Sequence, residues 1–175
     1  MYTIISGTNR VGSNTLKVAK EYQLLLKEKG INAGILSLEK VNVSVRDADF
    51  IKMEEDVLIP THYYIFITPE YNGSFPGVLK SLFDTSKAHQ VWWNKKALIT
   101  GVATGRAGNT RGNDHLASIL NHLKIAVHPN LLPLSGVDKL LNEDGLFTDA
   151  NALKAIHQQL DGFIVFCENE PHLAL

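Results

Sequence analysis

The chain alternates short apolar runs with amphipathic stretches from one end to the other. Met1–Ser6 (M-Y-T-I-I-S) is apolar and partly β-branched, with Gly7 as its boundary, which predicts a first strand. From Asn14 to Lys29, Leu16, Val18, Ala19, Tyr22, Leu25 and Leu26 recur at helical spacing, and Gly30 supplies a stop. Ala33–Leu38 reads as a second strand. Between Glu39 and Ile59, Val41, Val43 and Val45 alternate among acidic residues, and a short helix is expected near Ala48–Val57. Tyr63–Thr68 (Y-Y-I-F-I-T) is uninterrupted and apolar until Pro69, the mark of a strand buried on both faces. Pro76 opens a helix over Gly77–Ser86. Lys96–Ala103 gives a fourth strand, Thr104–Gly112 a loop and Asp114–Leu123 a helix, and Ile125–Leu134 carries a fifth strand near its Pro-flanked segment. Thr148 is the expected cap of a last helix with Leu153, Ile156, Leu160 and Phe163 on one stripe.

Strands alternating with helices imply parallel pairing and right-handed crossovers. Five strands in 175 residues predict an α/β, flavodoxin-like three-layer sandwich. Its five-stranded parallel sheet would run in the order 2-1-3-4-5, as a single domain over residues 1–175. Ligands of such sheets sit beyond the carboxyl ends of the strands, at the switch between strands 1 and 3. The loops after Ser6, Thr68 and Ala103 therefore carry the candidate chemistry.

Charge and composition remove several alternatives. Lys and Arg total 17 against 18 Asp and Glu, a net charge of −1, and no basic cluster is present to track nucleic-acid phosphates. No apolar run approaches ~18 residues, and no secretory leader pattern is visible, so neither a membrane span nor export is expected. The only cysteine, Cys167, allows no internal disulfide and reads as a small buried hydrophobe. A reducing, cytoplasmic setting follows as the expectation. Seven histidines show no H-E-x-x-H spacing, so no metal site is expected, and His62 and His128 read as structural. Ser74 lacks the G-x-S-x-G setting of a hydrolase nucleophile.

The first loop, Ser6 to Thr15 (S-G-T-N-R-V-G-S-N-T), offers hydroxyls at Thr8, Ser13 and Thr15, the Asn14 amide and the Arg10 guanidinium. A helix N-terminus at its end makes this set suited to a phosphate; a polar helix cap with turn glycines is the plainer alternative. Gly7 and Gly12 have the spacing of a nucleotide-triphosphate loop, but Ser13-Asn14 replace its Lys-Ser/Thr, and G-x-G-x-x-G is absent. The second loop, Thr68 to Gly77 (T-P-E-Y-N-G-S-F-P-G), is stiffened by Pro69 and Pro76, turned at Asn72-Gly73, and carries Tyr71 and Phe75. It suits a flat heteroaromatic ligand with a ring stacked on its face, or else a tight turn whose aromatics tuck into the core. The third loop, Ala103 to Gly112, holds Gly105, Gly108 and Gly112 with Arg106 and Arg111. It could stabilise charge on an electron-rich ring, attract an anionic second substrate, or be a mobile surface loop.

Together the three loops resemble the NADPH-dependent FMN reductase family, which includes quinone, chromate and azo-dye reductases. The family's G-[ST]-x-R-x-x-S-x-N is matched from Gly7 to Thr15, with Thr15 at the Asn position beside Asn14. Its T-P-E-Y-N-G-S-x-P-G-x-L-K occurs without mismatch from Thr68 to Lys80. Its S-x-G-x-x-G-G is matched at Gly105 and Gly108, with Ala103 at the Ser and Asn109 at the last Gly. Pro133 to Asp149 resembles the stretch before the family's final helix.

The resemblance implies an FMN cofactor, with Thr8, Arg10, Ser13, Asn14 and Thr15 at its phosphate. Pro69, Glu70, Tyr71, Asn72 and Gly73, with Thr104 and Gly105, would line its ring system and ribityl chain. NADPH or NADH would pass a hydride to the flavin, which would reduce a small acceptor such as a quinone or free flavin. No side chain is expected to act as nucleophile or obligatory acid or base. Arg106 and Arg111 are candidates for the donor's 2′-phosphate. A homodimer or homotetramer is implied, with Trp92 and Trp93 at an interface or over the flavin, or as ordinary half-buried aromatics. Two rivals share the fold: a flavodoxin-type electron carrier without NAD(P)H turnover, and a non-enzymatic partner-binding module.

Overall fold

The computed structural model describes residues 1–169. Five parallel strand positions form one sheet: β1 (Tyr2–Ser6), β2 (Ala33–Ser37), β3 (Tyr63–Pro69), β4 (Lys96–Val102) and a split fifth position. The order is β2-β1-β3-β4-β5, as the alternation of elements predicts. The fifth position falls within Ile125–Leu134, as expected, but in two pieces. Ala126–Val127 (β5) pairs with Lys96 and Ala97, and Leu132–Leu134 (β6) pairs with Thr100 to Val102. Between them Pro129 has no N–H to give the ladder.

Alternate strand residues serve opposite layers, as strand geometry requires. Ile4, Ile65, Ile67 and Leu98 pack with Tyr22, Leu26, Leu160 and Phe163, which belong to α1 (Asn14–Glu28) and the last helix, Ala150–Glu168. Ile5, Tyr64, Phe66 and Ile99 pack on the other face with Phe50, Leu82, Trp92 and Leu120. That layer holds α2 (Ala48–Met53), which continues as a π-turn over Glu54–Leu58, then α3 (Gly77–Thr85), α4 (Ala88–Val91) and α5 (Thr110–His122). A short α6 (Val137–Leu140) precedes the last helix, α7.

Two boundaries differ from the sequence expectation. Helix α5 starts at Thr110 rather than Asp114, because Asn109 takes the left-handed conformation (φ 66°) and turns the chain into the helix four residues early. Helix α7 is capped by Asp149, not Thr148: the Asp149 carboxylate accepts the Ala152 N–H at 2.7 Å, while the Thr148 hydroxyl faces the Leu140 carbonyl. Both caps belong to residue types that favour these positions.

Both tryptophans lie where β4 begins, the end of the sheet remote from the three loops. Trp92 is fully buried, with ring centroids 5.1 Å from Tyr64 and 5.0 Å from Phe83. Trp93 is 40% exposed and carries the Lys124 ammonium 3.7 Å from its ring centroid. Neither covers the ends of the strands at the loops.

Candidate functional site

The carboxyl ends of β1, β3 and β4 lie side by side, with Ser6 opposite Ile67 and Pro69 opposite Val102. Backbone bonds continue the sheet into the loops: Gly7 N–H donates to the Ile67 carbonyl at 2.8 Å and Glu70 N–H to the Val102 carbonyl at 3.1 Å. Beyond these ends lies a cavity of about 420 Å³, within the roughly 300–1,000 Å³ typical of ligand sites.

Arg10, Ser13, Asn14 and Thr15 form its first wall. The Ser13 hydroxyl caps α1 by accepting the Leu16 N–H at 3.2 Å. Helix geometry leaves the Asn14 and Thr15 N–H groups without an intrahelical acceptor. No acidic residue stands in the first turn to offset the positive end of the helix. Of the residues the sequence assigns to the cofactor, Thr8 alone does not line the cavity. It is buried, and its hydroxyl is bonded 2.6 Å from the Tyr71 hydroxyl.

The second wall is Pro69 to Gly73. Tyr71 and Ser74 exchange both backbone bonds, at 2.8 and 3.1 Å, around Asn72 (φ 51°) and Gly73 (φ 76°). This is the two-residue turn with positive φ at both corners that Asn-Gly favours. The two aromatics of the loop part company: Phe75 packs against the core, whereas Tyr71 stays at the cavity with the Arg10 guanidinium 4.4 Å from its ring centroid. A ligand ring cannot stack on that face of Tyr71.

Val102 to Gly105 form the third wall, joined by Val137 from α6. Val102, Ala103 and Val137 are cavity residues that the sequence does not single out: the first two are small apolar residues at the end of β4 and the third opens α6, and all three look like core. The loop is seated on β4 by close approach. A Cβ on Gly101 would overlap the Gly108 carbonyl and the Asn113 amide, and one on Gly112 would overlap Asn109. The Asn109 amide N–H donates to the Thr68 carbonyl at 3.0 Å, tying the third loop to the second. Val137 N–H donates to the Ala103 carbonyl and Gly136 N–H to the Gly105 carbonyl. The third loop is thus fastened rather than loose.

The remaining candidate cations stand outside the cavity. Arg106 borders an open depression beside it, with Ser135, Gly136 and Lys139, which shares Thr104 and Gly105 with the cavity wall. Arg111 belongs to α5, with its guanidinium against Gly73 at the hairpin tip. One helical turn on, His115 Nδ1 lies 3.0 Å from the Ser74 hydroxyl. This Ser–His pair does not line the cavity and ties the hairpin to α5. His128 is buried with its Nδ1 accepting the Asn130 N–H, and burial lowers its pKa. Burial pushes the Cys167 thiol up to about 11, away from the reactive thiolate.

A model of the NADPH-dependent FMN reductase family matches residues 2–139. The chain belongs to this family. It is 37% identical over 101 residues to an NAD(P)H-dependent FMN reductase of Pseudomonas aeruginosa, covering 55% of this chain and 54% of that one. It is 35% identical over 66 residues to a 2-hydroxy-1,4-benzoquinone reductase of a Burkholderia species, covering 36% of each. The chain spans about half the length of the first curated relatives it matches. Among solved structures, an NAD(P)H:(acceptor) oxidoreductase of Paracoccus denitrificans superposes with a TM-score of 0.79 at 22% identity, over 95% of this chain and 96% of that one. An azoreductase of Bacillus anthracis in complex with FMN superposes at 0.59 with 12% identity, over 94% and 98%. These two likenesses establish the flavodoxin-like fold. No helix among the described residues is long and apolar enough to cross a membrane.

The family's flavin can be tested against the cavity itself. FMN joins a dianionic phosphate to a flat, edge-polar ring. One cavity wall combines the Arg10 guanidinium with hydroxyls and the uncommitted N–H groups of a helix start; the other two are the Pro69–Gly73 hairpin and the Val102–Gly105 loop with Val137. The donor set fits the phosphate, and the cavity volume of about 420 Å³ is of ligand size.

Proposed function

We propose that this chain is an NAD(P)H-dependent reductase that holds FMN in the cavity and passes electrons to a small acceptor such as a quinone or free flavin. The observation that carries this reading is the meeting of a phosphate-accepting wall and a rigid hairpin wall across one cavity at the switch point of the sheet. Bound FMN supplies the hydride-accepting ring and the electrons for the second substrate. The protein's own residues bind and orient.

Arg10 and the α1 N–H groups would neutralise the phosphate, with Ser13, Asn14 and Thr15 closing around it. The hairpin at Tyr71–Ser74 would present its backbone to the ring edge, held by its own paired bonds and by Asn109 on Thr68. Thr104 and Gly105 would bound the opposite edge, fixed by the clasp between this loop and α6. Arg106, which borders the adjoining depression with Lys139, or Arg111, against the hairpin at Gly73, would meet the 2′-phosphate of the donor. Replacing Arg106 and Arg111 together and finding the NADPH/NADH preference unchanged would remove them from that role.

The family resemblance supports a homodimer or homotetramer, and the single cysteine supports a reducing, cytoplasmic setting. The near-neutral charge speaks against the electron-carrier rival, which would need a strongly charged face to dock its partners. Loading the purified chain with FMN and following NADPH absorbance with and without a quinone tests the proposal. Sustained, quinone-dependent oxidation is expected. Flavin binding with no turnover would favour the carrier, and no flavin binding would favour the partner-binding module.

A further inference from the structure

We infer that Tyr71 is a positioning residue for Arg10, part of the phosphate grip rather than a wall for the flavin ring. This rests on the FMN reading above and assigns a role within it. The two residues are 61 positions apart, yet they form a closed circuit. The Arg10 guanidinium lies over the Tyr71 ring, 4.4 Å from its centroid. The Tyr71 hydroxyl is 2.6 Å from the buried Thr8 hydroxyl. Thr8 Oγ1 in turn accepts the Arg10 backbone N–H at 3.3 Å. The hairpin fixes the Tyr71 backbone, so the ring is held at both ends before any ligand arrives.

The choice of an aromatic partner has a chemical consequence. Among the described residues Arg10 makes no ion pair with a carboxylate. A carboxylate would fix the side chain but compete with phosphate for the same N–H edge. A ring face attracts the cation through its quadrupole and leaves the N–H edge free for oxygens. Tyr71 thus removes rotamer freedom from an exposed arginine without spending its donors. The same stacking takes one face of the ring away from the flavin.

The test compares FMN with riboflavin, which lacks the phosphate, by quenching of flavin fluorescence on titration with the flavin-free chain. Tyr71→Ala should weaken FMN roughly tenfold and leave riboflavin within about twofold, so the FMN/riboflavin preference falls. Tyr71→Leu keeps a bulky side chain in the hairpin and should behave like Tyr71→Ala, while Tyr71→Phe should keep most of the preference. In Arg10→Ala, adding Tyr71→Ala should cost little more, as expected for two groups acting as one. Equal losses for FMN and riboflavin, or losses that add in the double variant, overturn the inference and make Tyr71 a ring wall. Failure of the wild-type chain to bind either flavin overturns this inference together with the FMN reading. Riboflavin binding as tight as FMN in the wild type overturns the phosphate grip and this inference with it, while leaving the flavin reading standing.

Discussion

The Tyr22 hydroxyl donates to Gln159 Oε1 at 2.7 Å, joining α1 to α7 beneath the sheet. Thr100 of β4 donates to the same oxygen at 2.9 Å, and the Gln159 amide N–H groups donate to the Ile99 and Asn130 carbonyls. All three side chains are fully buried, so the polar atoms of one layer satisfy one another where water cannot. Burial raises the Tyr22 pKa, keeping it a donor. Tyr22→Phe should therefore destabilise the fold by about 1–2 kcal/mol, measured as a lower urea midpoint with unchanged slope. An unchanged midpoint would mean the network contributes nothing net.

Gly101 is expected to tolerate no side chain. Its missing Cβ is the space taken by the Gly108 carbonyl and the Asn113 amide, so Gly101→Ala must lift the third loop off β4. A loss of about 1–3 kcal/mol is expected, with weaker flavin binding, because Thr104 and Gly105 ride on that loop. Thermal melting and flavin titration of the same variant check both parts.

Arg10→Ala should weaken FMN binding by about 1.5–3 kcal/mol, the scale of a charge-assisted bond. The loss should shrink as salt is raised, since Arg10 is exposed. Titration at two ionic strengths checks it; an unaltered affinity would place the phosphate elsewhere.

Glu21 gives the stability a pH dependence of definite sign. It is 8% exposed, and its Oε2 has no hydrogen-bond partner among the described residues. Burial first, and then the negative charge of Glu28, raise its pKa above the usual 4.5. The folded state thus holds this proton more tightly than the unfolded chain. Stability from Glu21 is fully present below about 4.5 and is lost as pH rises through the higher folded value. Glu21→Gln should be more stable than wild type at pH 7, with the difference vanishing toward pH 4. A difference that does not change with pH would assign the effect to packing.

Strands and switch point were legible because uninterrupted runs such as Tyr63–Thr68 can be satisfied only by burial on both faces. The walls of the cavity were legible for a related reason: loops rich in Gly, Asn and hydroxyls at strand ends do little for a core. What the pattern hid was tertiary. Nothing local shows that Asn109 turns the chain into α5 early, or that Gly101 and Gly112 exist to admit neighbours. By residue type Thr8 suits a ligand hydroxyl; only the fold reveals that Tyr71 claims it. Tyr71 and Phe75 were alike in sequence and were separated by which layer each could reach. The apolar run and prolines of Ile125–Leu134 locate the fifth strand position, but that it pairs in two pieces on either side of Pro129 is settled only by the sheet.

The most direct measurement is an absorption spectrum of the FMN-titrated chain, taken before and after anaerobic NADPH and again after a quinone. The expected result is a saturable flavin spectrum that bleaches with NADPH and returns with the quinone. A flavin spectrum that binds yet never bleaches, or a chain that takes up no flavin, would contradict the account.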